Sequence, residues 1–196
     1  MKNNVYEKFC QAVFFAVILQ IAGCSENVRE ESTNLISEQT KHVATADKQG
    51  LTWFAPELHS SRYRTLFFGY DTLDYRLAAP ENPGSNTVSL LFEASYGGDL
   101  RHYDFAKGTD GTSRAISQQQ HQAERCQLFN NLISSCLYKD RFSVALSRAD
   151  LEQASKTGLQ LQLTSESQTY EQIDLPTNYI QGFLKALENT ASKAVP

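Results

Sequence analysis

Between Thr87 and Tyr96 the chain alternates. Val88, Leu90, Phe92, Ala94 and Tyr96 fall on one side, and Thr87, Ser89, Glu93 and Ser95 on the other, with Leu91 the exception. Successive side chains of a strand point to opposite faces, so this segment is apolar on one face and polar on the other. Strands of that kind belong to antiparallel sheets packed on one side and wet on the other. Leu159, Leu161 and Leu163, interleaved with Gln160, Gln162 and Thr164, repeat the pattern. A sheet built this way needs an apolar layer to cover it.

The C-terminal third supplies helices for that layer. Ser147 with Asp150 three residues on is a helix-start signature. Leu151 and Ala154 follow as a short apolar stripe, and Gly158 is placed to end the helix in a left-handed conformation. Pro176 opens a second helix where its missing N–H costs little. Ile180, Phe183, Leu184 and Leu187 then fall at i, i+3, i+4 and i+7, one face of that helix. The expected fold class is α+β, an antiparallel sheet with two helices in the C-terminal third. A β-sandwich with helical decorations is the alternative.

The remaining segments read as follows. Arg62 to Tyr70 is a strand rich in β-formers. It carries Tyr63 and Phe67 on one face and Phe68 and Tyr70 on the other, as a central core strand or a partner-binding surface would. Pro80 to Asn86 is a loop. Gly97-Gly98-Asp99 is a hairpin signal, with Leu100 to Ala106 as the return strand. Lys107 to Gly111 is a turn, and Thr112 to Glu124, with its run of three Gln, is an exposed loop or loose helix. Phe142, Val144 and Leu146 mark another strand. After a turn at Ser165 to Ser167, Thr169 to Leu175 returns the chain.

The N-terminus carries a different kind of signal. Lys2 and Lys8 precede an apolar run, Phe9 to Ala22, that ends in Ile21-Ala22-Gly23-Cys24. A basic start, a short apolar stretch and small residues at a cleavage point mark a secretory signal, and the run is too short to span a bilayer. The four closing residues resemble the lipobox of bacterial lipoprotein precursors. That resemblance implies cleavage between Gly23 and Cys24 and a diacylglyceryl thioether, with an acylated amine, on Cys24. It makes the membrane a partner through that anchor, since two or more acyl chains hold a protein stably. Ser25 follows the cysteine where Asp would favour inner-membrane retention, so the resemblance points to the outer membrane, facing the periplasm. Residues 1–23 are then the signal peptide and 24–50 the lipidated N-terminus and a flexible tether. Residues 51–190 form one globular domain, and 191–196 a frayed end. The tether assignment rests on polarity: Val28, Leu35, Ile36 and Val43 are too sparse for a core. A short helix over Ser32 to Lys41, packed on the domain, is its alternative.

Charge and cysteines narrow the partners. The chain is formally −4, and its first 23 residues carry two Lys and one Glu, which leaves the remainder at −5. With no run of Lys or Arg, nucleic acid is not an expected partner. Cys10 leaves with the signal and Cys24 takes the lipid. Cys126 and Cys136 are left in an oxidising compartment, where a disulfide is the expected state and two free thiols the alternative.

Catalytic motifs are absent from the sequence. It has no Gly-x-Ser-x-Gly elbow, no phosphate cradle and no His-Glu-x-x-His. No metal or cofactor is expected. The nearest approach to a site is Asp99, His102 and Asp104. His102 and Asp104 would share a strand face and could share a metal or a proton, or simply be solvated. Asp71 and Asp74 flank another turn, with Tyr70 and Tyr75, a pairing of carboxylates and rings that a carbohydrate site uses, though turn-capping acids are far commoner. The expected function is a non-catalytic, membrane-tethered envelope lipoprotein that binds or scaffolds an envelope protein, peptidoglycan or a lipid. A periplasmic enzyme using Asp99, His102 and Asp104 is the alternative.

Overall fold

The computed structural model describes residues 28–44, 51–63, 70–81, 86–129, 133–165 and 170–191. In chain order the elements are α1 (Thr33–Gln39), β1 (Lys41–Ala44), β2 (Leu51–Phe54), β3 (Leu58–Tyr63), β4 (Tyr70–Pro80), β5 (Thr87–Gly98), β6 (Tyr103–Gly108), β7 (Ser113–Phe129), β8 (Ile133–Ser147), α2 (Arg148–Ala154), β9 (Leu159–Ser165), β10 (Tyr170–Leu175) and α3 (Thr177–Ala191). The strands form one antiparallel sheet in the order β1-β2-β4-β5-β8-β7-β6-β9-β10, with β3 also paired to β4. The sheet curls into a half-barrel around α3. The α+β expectation holds, with a third helix added at the N-terminal end.

The alternation in β5 does what it promised. Val88, Leu90, Phe92, Ala94 and Tyr96 are all buried, and their neighbours in between are partly exposed. Leu73, Tyr75 and Leu77 of β4 and Phe142, Val144 and Leu146 of β8 extend that inner face on either side. A row of rings runs across it. Phe92 stacks on Phe142 at 4.8 Å, and Phe142 meets Tyr103 of β6 at 4.7 Å. From α3, Tyr179, Ile180 and Phe183 press into this face with no exposed surface. Each such large side chain contributes about 1.5–3 kcal/mol by leaving water.

The helix signals are met in detail. Ser147 accepts from the Asp150 N–H and Asp150 reaches back to the Ser147 N–H, a complete capping box at the start of α2. Gly158, at φ +83°, closes that helix and donates to Ala154 O. Pro176 stands one residue before α3 and accepts from Ile180 N–H at 3.2 Å.

Four expectations are corrected. First, residues 28–44 are part of the domain and not tether, as the alternative of a short helix over Ser32 to Lys41 has it. Ile36 of α1 is completely buried against α3 at Gly182, where an added Cβ would lie 2.6 Å from the Ile36 Cβ. The missing side chain on Gly182 makes the notch, so one isoleucine does the work that sparse hydrophobicity seemed to forbid. The His42 ring also lies flat on Trp53 across β1 and β2, at 4.1 Å. Second, the return strand after Gly98 does not pair with β5. Its partners are β7 and β9, because β8 offers β5 a matching apolar face over twelve residue pairs, from Thr87↔Ser147 to Gly98↔Cys136. Third, Thr112 to Glu124 is not a loop or loose helix. It belongs largely to β7, which is held by its ladder to β8 and by little burial of its own side chains. Two bulges, between Ser117 and Gln120 and between Ala123 and Arg125, break its alternation and hide it from a period-two reading. Fourth, Asp71 and Asp74 lie within β4, not beside a turn. Of the expected strand Arg62 to Tyr70, residues 64–69 lie outside the described residues. So do residues 1–27, with the cleavage point and Cys24.

The curl brings the end strand β10 up to the inner side of β4. Tyr75 of β4 donates its hydroxyl to Asp174 O of β10 at 3.2 Å. Arg29 reaches into the same seam, donating to Asp174 O and to its carboxylate, each at 3.3 Å, and contacting the Tyr75 hydroxyl. Deeper in, Arg101 pairs with Asp71 of β4 and, at 3.0 Å, with Glu171 of β10. Two arginines thus bridge the gap that strand pairing leaves open.

Candidate functional site

The chemistry-bearing side chains gather around Arg101, in the segment between β5 and β6. The β5 alternation sends Tyr96 inward, and the β8 alternation sends Asp140 inward beside it, because Asp140 shares its parity with Phe142 and Val144. Asp140 is 1% exposed and Arg101 3%. The Tyr96 hydroxyl donates to the Asp140 carboxylate and accepts the Arg101 backbone N–H at 2.9 Å. The Arg101 guanidinium lies over the Tyr96 ring at 4.4 Å. Asp140 also faces the Nδ1 of His121 on β7 at 3.0 Å. The His121 ring meets His102 edge-on at 5.2 Å. One chain of contacts therefore links β4, β5, β7, β8 and β10. Beside Arg101 and Tyr103 a cavity of about 10 Å³ has room for roughly one water.

Electrostatics keep this cluster polar and unreactive. Burial, and then the hydrogen bond to Asp140, push the Tyr96 phenol far above its ordinary value. Burial pushes Tyr103 up to about 12. Both phenols are therefore protonated at neutral pH, and the Tyr96 hydroxyl donates to Asp140. Asp71 and Glu171 set two carboxylates on one guanidinium. Breaking such a set leaves a buried charge uncompensated, which makes it costly to disturb. His121 stands within ion-pair distance of a buried carboxylate, the pair of groups a base and its positioning group would use, but the contact lacks hydrogen-bond geometry. Among the described residues, no hydroxyl or thiol hydrogen-bonds to it.

The acids and histidine expected to form a site are not brought together. Asp99 and Asp104 are exposed, His102 is half-buried against His121, and no hydrogen bond or ion pair joins the three among the described residues. Asp71 points inward to Arg101, whereas Asp74 is paired with His59 across β3 and β4. No group of three or more metal-ligating side chains occurs among the described residues. Cys126 and Cys136 do pair. They stand directly opposite on β7 and β8, Cα atoms 4.0 Å apart, and form a disulfide.

A second feature lies on the other face of the sheet. A groove of about 500 Å³ crosses β4, β5, β8 and β7, lined by Asp74, Arg76, Leu91, Glu93, Gln120 and Arg141 among others. Glu93 accepts from Arg141 at 2.8 Å and pairs with Lys139. Burial raises its carboxyl, but the hydrogen bonds from Lys139 and Arg141 outweigh that and bring it below the ordinary value. Arg76 lies over the Phe54 ring at 4.7 Å. The groove offers paired charges of both signs and side-chain amides beside apolar surface that includes Leu91.

Sequence reasoning passed over Arg101, His121 and Asp140. A signal existed for Asp140 and Asp71, each an acid on the apolar parity of its strand. None existed for His121, which sits in a polar run. No known protein family, curated protein or solved structure matches this chain.

Proposed function

We propose that this is a lipid-anchored protein of the bacterial envelope, held through Cys24 at the periplasmic face of the outer membrane. Its domain binds or scaffolds another envelope component, such as a protein or peptidoglycan. The observation that carries the reading is Ile21-Ala22-Gly23-Cys24 at the end of a short apolar run. The Cys126–Cys136 disulfide supports it, because disulfides persist in oxidising compartments and are rare in the cytosol. The open, mixed-charge groove supports binding to a polar partner. The test is the mass of the N-terminal peptide from membrane fractions, together with the partition of Cys24→Ala. A cysteine carrying a diacylglyceryl thioether at the mature N-terminus, and release of the variant from membranes, are the expected results. An intact Met1 in the membrane fraction would refute the anchor. Crosslinking in intact envelopes then identifies the bound component.

A second reading is an envelope enzyme. What favours it is His121 backed by buried Asp140, in place of the separated Asp99 and Asp104. A folded His121→Ala variant that behaves like a deletion of the whole protein would favour catalysis. One indistinguishable from the unaltered protein would favour binding.

A further inference from the structure

Under the anchor reading, the lipid enters the domain almost without a tether. Val28 is already packed against the core. Arg29 is fixed on both sides of the seam: its guanidinium holds Asp174 and Tyr75, and its carbonyl accepts from Asn178 Nδ2 at 3.0 Å. Asn178 also donates to Glu31 O, and α1 then locks onto Gly182 through Ile36. Four peptide links separate Cys24 from Val28. Fully extended, they reach at most about 14 Å. The headgroup layer through which the acylated cysteine emerges takes up about 5–7 Å of that.

We infer that the domain is held against the bilayer surface in one orientation, with the seam side down. Val28, the Asp174 end of β10 and the N-terminal end of α3 face the lipid headgroups. The domain stands on the order of 35–40 Å across. The wall opposite the seam, formed by β7 and β8 at the middle of the sheet order, is therefore directed away from the membrane. The occupant of the seam face is the membrane that carries the anchor, and chain length is what selects it. Electrostatic adhesion does not contribute, because Glu30, Glu31 and Asp174 outnumber Arg29 there, and anionic lipid attracts basic patches. The contact is imposed by the short link. Lengthening the link should therefore abolish it, which would not happen with an adhesive surface.

The inference rests on lipidation at Cys24, so the test measures both. The full-length lipoprotein is placed in nanodiscs containing an acceptor-labelled lipid. One donor dye is placed at Gln172→Cys, exposed on β10, and a second at Gln122→Cys, exposed on β7. Each sample is also made with twenty Gly and Ser residues inserted after Ser25, and the mass of each N-terminal peptide is recorded. We expect energy transfer at least two-fold higher from position 172 than from 122, falling toward the 122 value on insertion. Lipidated protein with equal transfer from both positions overturns the orientation and leaves the anchor standing. So does a position-172 signal that ignores the insertion. Membrane-bound protein without lipid on Cys24 overturns both.

Discussion

The seam between β4 and β10 and the far wall of β7 and β8 solve the same problem by different means. Each is a place where regular strand pairing with side-chain burial runs out. The seam is shielded from water at its depth, so charge is effective there: Arg101 holds Asp71 and Glu171 with its side chain only 4% exposed. The β7–β8 pair is wet, with Cys126 and most of β7 exposed, and ion pairs in water contribute little. There a covalent bond closes the ladder. A device that works by excluding water suits an interior, and one indifferent to solvent suits an arm.

The comparison can be broken by removing each device. Arg101→Ala leaves Asp71 and Glu171 without their shared guanidinium, and we expect a loss of about 3–5 kcal/mol by urea unfolding. A loss under 1 kcal/mol would mean that the seam is held by strand packing and not by charge. Cys126→Ser with Cys136→Ser removes a loop closed over a sequence separation of 10. The chain-entropy argument gives a loss of about 2.5–3 kcal/mol, read as a lower denaturant midpoint that reducing agent no longer shifts. The double variant should leave the Arg101 contribution intact, since Arg101 contacts Asp71, Glu171 and Tyr96 and not the disulfide. Arg29→Ala, at the wet rim of the seam, should cost less than about 1 kcal/mol at moderate salt, because Arg29 and Asp174 are one third to one half exposed. An effect as large as that of Arg101→Ala would show that the rim, and not the buried pair, closes the half-barrel.

The same contrast explains what could be read from the residues. Local signals were legible: the β5 alternation, the Ser147–Asp150 cap, Gly158 and the Ile180 stripe each depend on neighbours within a few positions. So did the pairing of Cys126 with Cys136, although not the hairpin that presents it. What escaped is set by distant partners. Ile36 is buried because Gly182 lies 146 residues on and leaves it a notch. The polar run of β7 is a strand because β8 pairs with it. Asp71 and Asp74 resemble turn acids until Leu73, Tyr75 and Leu77 are counted with them as one alternating strand. The buried charges were half-legible, since an acid on an apolar parity needs a cation, but nothing local said that Arg101 would be that cation.

The seam also joins residues far apart in sequence. Tyr75 and Asp174 meet across 99 residues, and Arg29 and Asp174 across 145. Contacts this far apart along the chain form late and slowly, after loop closure has been offset by other gains. A chain ending before Tyr170 would leave α1 without α3 beneath it, β4 facing an empty mouth, and Asp71 sharing Arg101 with no second acid. The molecule has no self-sufficient half. Residues 29–36 and 174–182 are stabilised together, so a chain cut before Tyr170 is more open to proteolysis.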